Sequence, residues 1–280
     1  MMLIAGFESI DELKYLIKIE IPGIFIGSWI ANEPKVYEII RESNYKGIIA
    51  TDNEGGYASW IVKDIPSPKE LSNLNPYDFY SIIYNMALKL KEHYINLNFA
   101  PVLDLYDPIN VVIGKKNRAF SEDPYKVIFY SSLFIKAHSD VGIKNCIKHF
   151  VGQGRAIGDP HHKKSIFIGG LKDLRKDLLP FMFFIKMGIE YIMTAHVFVP
   201  SIDKEKPITL SRFFIVELLR NLLSYKGKII TDDLNMNAIR EHFDIIDAVR
   251  IAKSLTIDYI LISRGIETIE KVYKFLKFNY

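Results

Sequence analysis

The chain has 280 residues, 49% hydrophobic and 25% charged, with a net charge of +3, the make-up of a globular protein with a sizeable core. Its basic residues are dispersed in runs no longer than Lys115-Lys116 and Lys163-Lys164, so no stripe suited to nucleic acid is present and no nucleic-acid partner is expected. The longest apolar run, Leu178 to Ile185, is well short of the ~20 residues that span a bilayer, and Met1 to Lys14 lacks the basic start and apolar stretch of a signal peptide. A soluble cytoplasmic protein with no membrane partner is the expectation, as a monomer or weak oligomer. The single cysteine, Cys146, sits in an apolar run and reads as a core residue.

Short apolar runs recur along the chain, over residues 3–7, 23–27, 47–52, 97–104, 145–150, 191–196, 228–233 and 259–262. They are rich in Ile, Val, Leu and Phe and do not alternate with polar residues. Parallel strands buried on both faces read this way. The stretches between them predict helices over 10–19, 34–42, 75–94, 124–139, 171–187, 211–224, 235–254 and 267–278. The first opens on Ser9 with Glu12 three residues on, a capping box. Pro34 and Pro124 stand at first helical positions, and Asn75 precedes another helix. Eight strands, each followed by a helix, predict a (β/α)8 barrel, which takes ~250 residues. One catalytic domain over residues 1–280 is therefore expected. An open doubly wound sheet is the competitor, but the first strand–helix turn carries no Gly-x-Gly-x-x-Gly fingerprint.

In such a barrel, functional residues sit at the C-terminal ends of the strands. Here those ends carry Asp52, Asp104, Lys148 with His149, His196, and Asp232 with Asp233. They would converge on one mouth. Asp104 and Asp233 equally fit caps of the segments that follow.

Beyond the fifth strand, the stretch from Ile147 to His162 holds Gly152, Gly154 and Gly158, then Asp159-Pro160-His161. An Asp two residues from a His can orient the imidazole and favour its protonated form, which suits acid/base work, while the triplet taken alone equally fits a surface loop with polar residues. Glycines let such a loop fold over a ligand. Carboxylates with Lys, Arg and His suit a sugar, whose hydroxyls both donate and accept hydrogen bonds. The histidines are not spaced as a ligand set, so no metal site is expected, and side chains alone supply the chemistry, so no cofactor.

Several motifs in order resemble glycoside hydrolase family 3, in particular its single-domain bacterial β-N-acetylglucosaminidases. They are Asp52-x-Glu54-Gly55-Gly56, Phe99-Ala100-Pro101-Val102-x-Asp104, Arg118-x-Phe120, Lys148-His149-Phe150-x-Gly152-x-Gly154 with Asp159-x-His161, Thr194-Ala195-His196-Val197, Pro207-x-Thr209-Leu210-Ser211 and Thr231-Asp232-Asp233-Leu234-x-Met236. The resemblance implies Asp232 as nucleophile and His161, paired with Asp159, as acid/base. It implies Asp52, Arg118, Lys148 and His149 as the clamp on sugar hydroxyls. His196 joins them as a further mouth residue or as a structural one. The chain departs from the family's usual arginines at Tyr57, Ala58, Ser59 and Trp60, and from its usual Pro, His and Asp at Val151, Gln153 and Arg155. Pro160 narrows the backbone freedom of the dyad.

The resemblance implies a retaining exo-β-N-acetylglucosaminidase acting on a small carbohydrate, with a cell-wall muropeptide fragment as substrate. A β-glucosidase, a phosphorylase of the same fold and a non-catalytic sugar-binding relative are the alternatives. Lys115, Lys116, Arg155, Lys163 and Lys164 flank the site in sequence. They fit either a rim that attracts carboxylates of the leaving group or an ordinary solvated surface.

Overall fold

The structure is a computed structural model that describes residues 1–160 and 164–278. Eight strands close into a parallel barrel: β1 (Met2–Gly6), β2 (Gly23–Ile26), β3 (Ile48–Thr51), β4 (Leu97–Asn98), β5 (Lys144–Phe150), β6 (Tyr191–Thr194), β7 (Lys228–Ile230) and β8 (Tyr259–Ile262). Neighbours in the barrel follow chain order, and β1 closes it by pairing with β8 from Met2 against Tyr259 to Ala5 against Ile262. Inward side chains such as Ile4, Phe25, Phe99, Cys146, Met193 and Leu261 fill the interior. Outward ones such as Leu3, Ile24, Ile49, Ile192 and Ile260 pack under the helices. Burial on both faces is why these runs do not alternate.

The main helices are α1 (Ile10–Lys18), α2 (Pro34–Ser43), α3 (Pro76–Glu92), α4 (Pro124–Asp140), α5 (Arg175–Lys186), α6 (Phe213–Leu222, wound as a π-helix), α7 (Ile245–Ser254) and α8 (Ile266–Phe278). Their starts follow local chemistry. Ser9 caps α1 by accepting from the Glu12 N–H at 3.2 Å, while the Glu12 carboxylate takes the Glu8 N–H. Asn75 and Asp123 cap α3 and α4, each just ahead of a proline whose missing N–H is no loss there. Among the described residues no helix is long and apolar enough to cross a membrane.

Three elements differ from the sequence expectation. The run over 97–104 forms a ladder only across Leu97–Asn98, because Pro101 offers no N–H to pair. The chain nonetheless stays extended: Val102 bridges Lys148, and the Leu103 N–H donates to the Lys148 carbonyl at 2.6 Å. Asp104 is thereby carried up beside the end of β5. The helix expected over 235–254 is divided into Asn237–Arg240 and α7. Asp244 divides it, since its carboxylate accepts the Ile246 N–H at 2.8 Å and starts a new helix there. The helix expected from 171 begins at Arg175 instead. In addition, Ser165–Ile166, Val197–Val199 and Asp203–Pro207 form a small sheet beyond the barrel, and Asn53–Gly55 pairs with Ala58–Ser59 as a hairpin after β3.

Candidate active site

A cavity of about 500 Å³ opens at the C-terminal ends of the barrel strands. Asp52, Arg118, Lys148, His149 and Asp232 all line it, so the mouth gathers five of the eight residues expected to bind sugar or act on it. Phe25, Met193 and Leu261 close its floor.

Lys148 stands two residues beyond Cys146 on β5 and so continues the inward face. The pairing of β5 with β6 shifts register between Ile147 and Phe150, an irregularity of the kind that re-aims side chains near sites. Both Lys148 and His149 line the cavity as a result. The Lys148 ammonium is buried and meets Asp52 at 2.5 Å and Glu54 at 2.6 Å. Arg118 grips Glu54 with both arms of its fork, at 2.8 and 2.7 Å. Two cations and two carboxylates thus neutralise one another beneath the mouth. Burial works against the Glu54 carboxylate, yet Arg118 and Lys148 outweigh it and hold the group down at about 2. Burial likewise opposes the charge on Lys148, and Asp52 and Glu54 overcome it.

Glu54 had no role assigned from sequence. The signal was there: Asp52 and Glu54 are two apart in extended chain, so they share a face and reach the same lysine. Asp104 was read as a mouth residue or a cap, and the cap role is not the one it takes. Its side chain is fully buried and accepts from the His149 ring at 2.7 Å. It also accepts the main-chain N–H groups of His149 and Gly154, each at 3.2 Å. Asp233 caps no helix, since Met236 stands at the N-cap of Asn237–Arg240; it closes the turn before it, accepting the Asn235 N–H at 2.9 Å along with the Ser263 N–H and hydroxyl.

Asp232 lies just past β7, and its carboxylate accepts the Asp233 N–H at 2.8 Å. His196 does not line the cavity. It is fully buried, with Nδ1 at 2.8 Å from the Thr209 hydroxyl and Nε2 donating to the Asp233 carbonyl at 2.9 Å. Burial pushes its imidazole below the usual histidine range. His196 therefore steadies the backbone that follows Asp232, in line with the structural reading open to it in the sequence.

The loop after β5 is fastened at its base. Asn110 donates from Nδ2 to the carbonyls of Gln153 and Ala156, at 2.8 Å each. Ile157 and Ile166 exchange two N–H···O bonds of 2.8 Å. Farther out, the Pro160 carbonyl accepts the Ala238 N–H at 3.0 Å. That bond sets the half-buried Asp159 beside the segment whose first residue, Asn237, lines the cavity. His161, the expected acid/base, lies outside the described residues, with His162 and Lys163.

Among the described residues, the cations that flank the site in sequence take different places. Arg155 pairs with the buried Asp177 and donates to the Asp173 carbonyl, so it does not face the leaving-group side as a bare cation. Lys164 lies over the Phe198 ring at 4.5 Å. Lys115 is exposed and does not line the cavity. Lys116 does, over the Tyr57 ring at 4.1 Å, and Arg264, not foreseen, lies over Trp29 at 3.7 Å. Trp60 packs edge-on to Tyr57. Among the described residues, no group of three or more His, Cys, Asp or Glu side chains is placed to hold a metal ion.

A closed parallel barrel with charged residues from separate strand ends around one mouth is the class of site that TIM-barrel enzymes use. Residues 15–278 match the glycosyl hydrolase family 3 N terminal domain, and the chain belongs to that family. A beta-hexosaminidase from Thiobacillus denitrificans is 34% identical over 190 residues, which are 68% of this chain and 52% of that protein. One from Bordetella avium is 29% identical over 244 residues, covering 83% of this chain and 69% of the other. The solved family 3 beta-N-acetylglucosaminidase from Paenibacillus superposes with a TM-score of 0.84 at 29% identity, covering 96% of this chain and 55% of that one. The chain thus spans about half the length of two of these relatives.

Proposed function

We propose that the protein hydrolyses terminal β-N-acetylglucosaminides with retention of configuration. Asp232 forms the glycosyl-enzyme, and His161 with Asp159 protonates the leaving oxygen and then activates water. Asp52, Arg118, Lys148 and His149 hold the sugar hydroxyls. The observation that carries the reading is the placement of Asp232. It follows a barrel strand into a cavity whose opposite wall is the Asp52–Lys148–Glu54–Arg118 network. A carboxylate held on a rigid frame beside a hydroxyl-binding wall suits attack on one ring carbon. The names of the relatives supply the 2-acetamido sugar, and a muropeptide fragment is the natural substrate we propose.

The test is a panel of aryl β-glycosides that differ only at the 2-position, followed by NMR of the first-formed anomer. Hydrolysis of the N-acetylglucosaminide above the glucoside, with the β-anomer appearing first, is the expected result. Faster cleavage of the glucoside would reject the sugar, and α-anomer first would reject retention. A product that appears as the sugar phosphate when phosphate is added would make the protein a phosphorylase.

A further inference from the structure

The Asp104–His149 pair has a geometry that the sugar-clamp reading does not require. Asp104 is fully buried and its carboxylate meets three nitrogens. Oδ2 accepts the main-chain N–H of His149 at 3.2 Å and lies 2.7 Å from Nδ1 of the same residue. Oδ1 accepts the Gly154 N–H at 3.2 Å. Main-chain N–H groups only donate, so both oxygens are already acceptors. A ring nitrogen that close to an accepting carboxylate oxygen carries the proton. The approach is built for: a Cβ on Gly154 would lie 3.0 Å from the Asp104 Cβ and 2.2 Å from the Leu105 carbonyl oxygen. His149 is 4% exposed and lines the cavity, and among the described residues its Nε2 has no hydrogen-bond partner.

We propose that Asp104 is a positioning residue that fixes the proton of His149 on Nδ1, so that Nε2 faces the cavity as an acceptor for a substrate hydroxyl. The claim about the hydroxyl rests on the function proposed above; the claim about the proton does not. With Nδ1 committed to the carboxylate, the neutral imidazole has only an unprotonated nitrogen to offer the ligand. Lys148, one residue earlier, offers only N–H donors. The two neighbours therefore bind different sides of a sugar's hydroxyl pattern, one donating and one accepting.

Two measurements test the proposal. Nitrogen-15 NMR of histidine-labelled protein at neutral pH, assigned with His149→Ala, reads the tautomer directly and needs no substrate. The expected signal is a protonated Nδ1 and an unprotonated Nε2, and Asp104→Asn should populate the other tautomer. A protonated Nε2 in the unaltered neutral ring would overturn the proposal. The second measurement uses N-acetylglucosaminides in which one ring hydroxyl at a time is replaced by fluorine, which accepts but cannot donate. At one position the fluoro analogue should lose roughly 10–100-fold in kcat/KM beyond the inductive loss fluorine causes elsewhere on the ring, the usual effect of leaving a buried acceptor unsatisfied. His149→Ala should erase that difference. Asp104→Asn should lower kcat/KM for the parent sugar but add little on the His149→Ala background, because groups acting through one another are not additive. Full additivity, or a fluorine loss that is the same at every position, would sink the assigned role. Loss of turnover on every glycoside would reject the enzyme reading and leave the tautomer result standing.

Discussion

Glu54 has no exposed side-chain atom and holds two buried cations together. Replacing it with glutamine removes the one carboxylate in direct contact with both Lys148 and Arg118 and leaves Asp52 and the more distant Asp104 to offset them. An uncompensated buried charge costs about 3–5 kcal/mol, so Glu54→Gln should lower the urea midpoint sharply and disorder the sugar wall. The same residue sets an acid sensitivity. Its carboxyl is held at about 2 against an ordinary 4.5, so it stabilises the fold fully above the ordinary value and loses that effect as pH falls through 2. The displacement corresponds to about 3 kcal/mol at most. Unfolding free energies measured from pH 5 to pH 2 should fall more steeply for the unaltered protein than for Glu54→Gln. Equal slopes would show that other carboxylates govern acid unfolding. Residues such as Lys148 and Asp52 were legible in the sequence because strand ends attract attention. Glu54 and Arg264 were not assigned roles and Asp104 was read only as a mouth residue or a cap, since partnership across 64, 235 and 45 residues, respectively, leaves little local trace.

Loops and helix ends were read less well than strands, and for physical reasons. The division at Asp244 is visible in retrospect as a cap followed by Asp247 in the first turn. Apolar residues on both sides of it masked the stop. Asp244→Ala should lose about 0.5–2 kcal/mol in chemical unfolding, the worth of an N-cap. Its exposed position lets the barrel mouth keep its geometry, so kcat should change little. The loop after β5 gives the opposite pattern. Gly158 sits at φ +102°, and a Cβ there would come within 2.4 Å of the Lys164 carbonyl oxygen. Gly158→Ala should displace the arm that carries Asp159 while leaving the barrel closed. The expected result is a lower kcat for substrates whose leaving group needs a proton, with a much smaller change in Tm. A large Tm loss with unchanged kcat would show that this turn serves stability alone.

At the scale of the whole molecule, the proposed reaction gives the barrel and the loop different tasks. Asp232 continues from β7 and is steadied from behind by His196 through the Asp233 carbonyl. Asp159 rides an arm fastened at its base and held farther out by the bond from Ala238 to the Pro160 carbonyl. A nucleophile must meet one carbon and benefits from rigidity, whereas an acid that admits substrate benefits from an arm that opens. Asp232→Ala should therefore abolish turnover of every glycoside, because no glycosyl-enzyme forms. His161→Ala should depend on the leaving group. An activated aryl group hardly needs a proton, so its departure slows little. A sugar leaving group needs one, and that step should slow by about 10²–10⁴-fold. Hydrolysis of the intermediate then limits the activated substrate, and azide should restore its turnover. Asp159→Asn keeps the imidazole but weakens its orientation, so it should fall between. If His161→Ala slows activated and unactivated substrates by the same factor, the proton comes from elsewhere. His162, or His149 if its Nε2 proves to be protonated, is then the residue to replace.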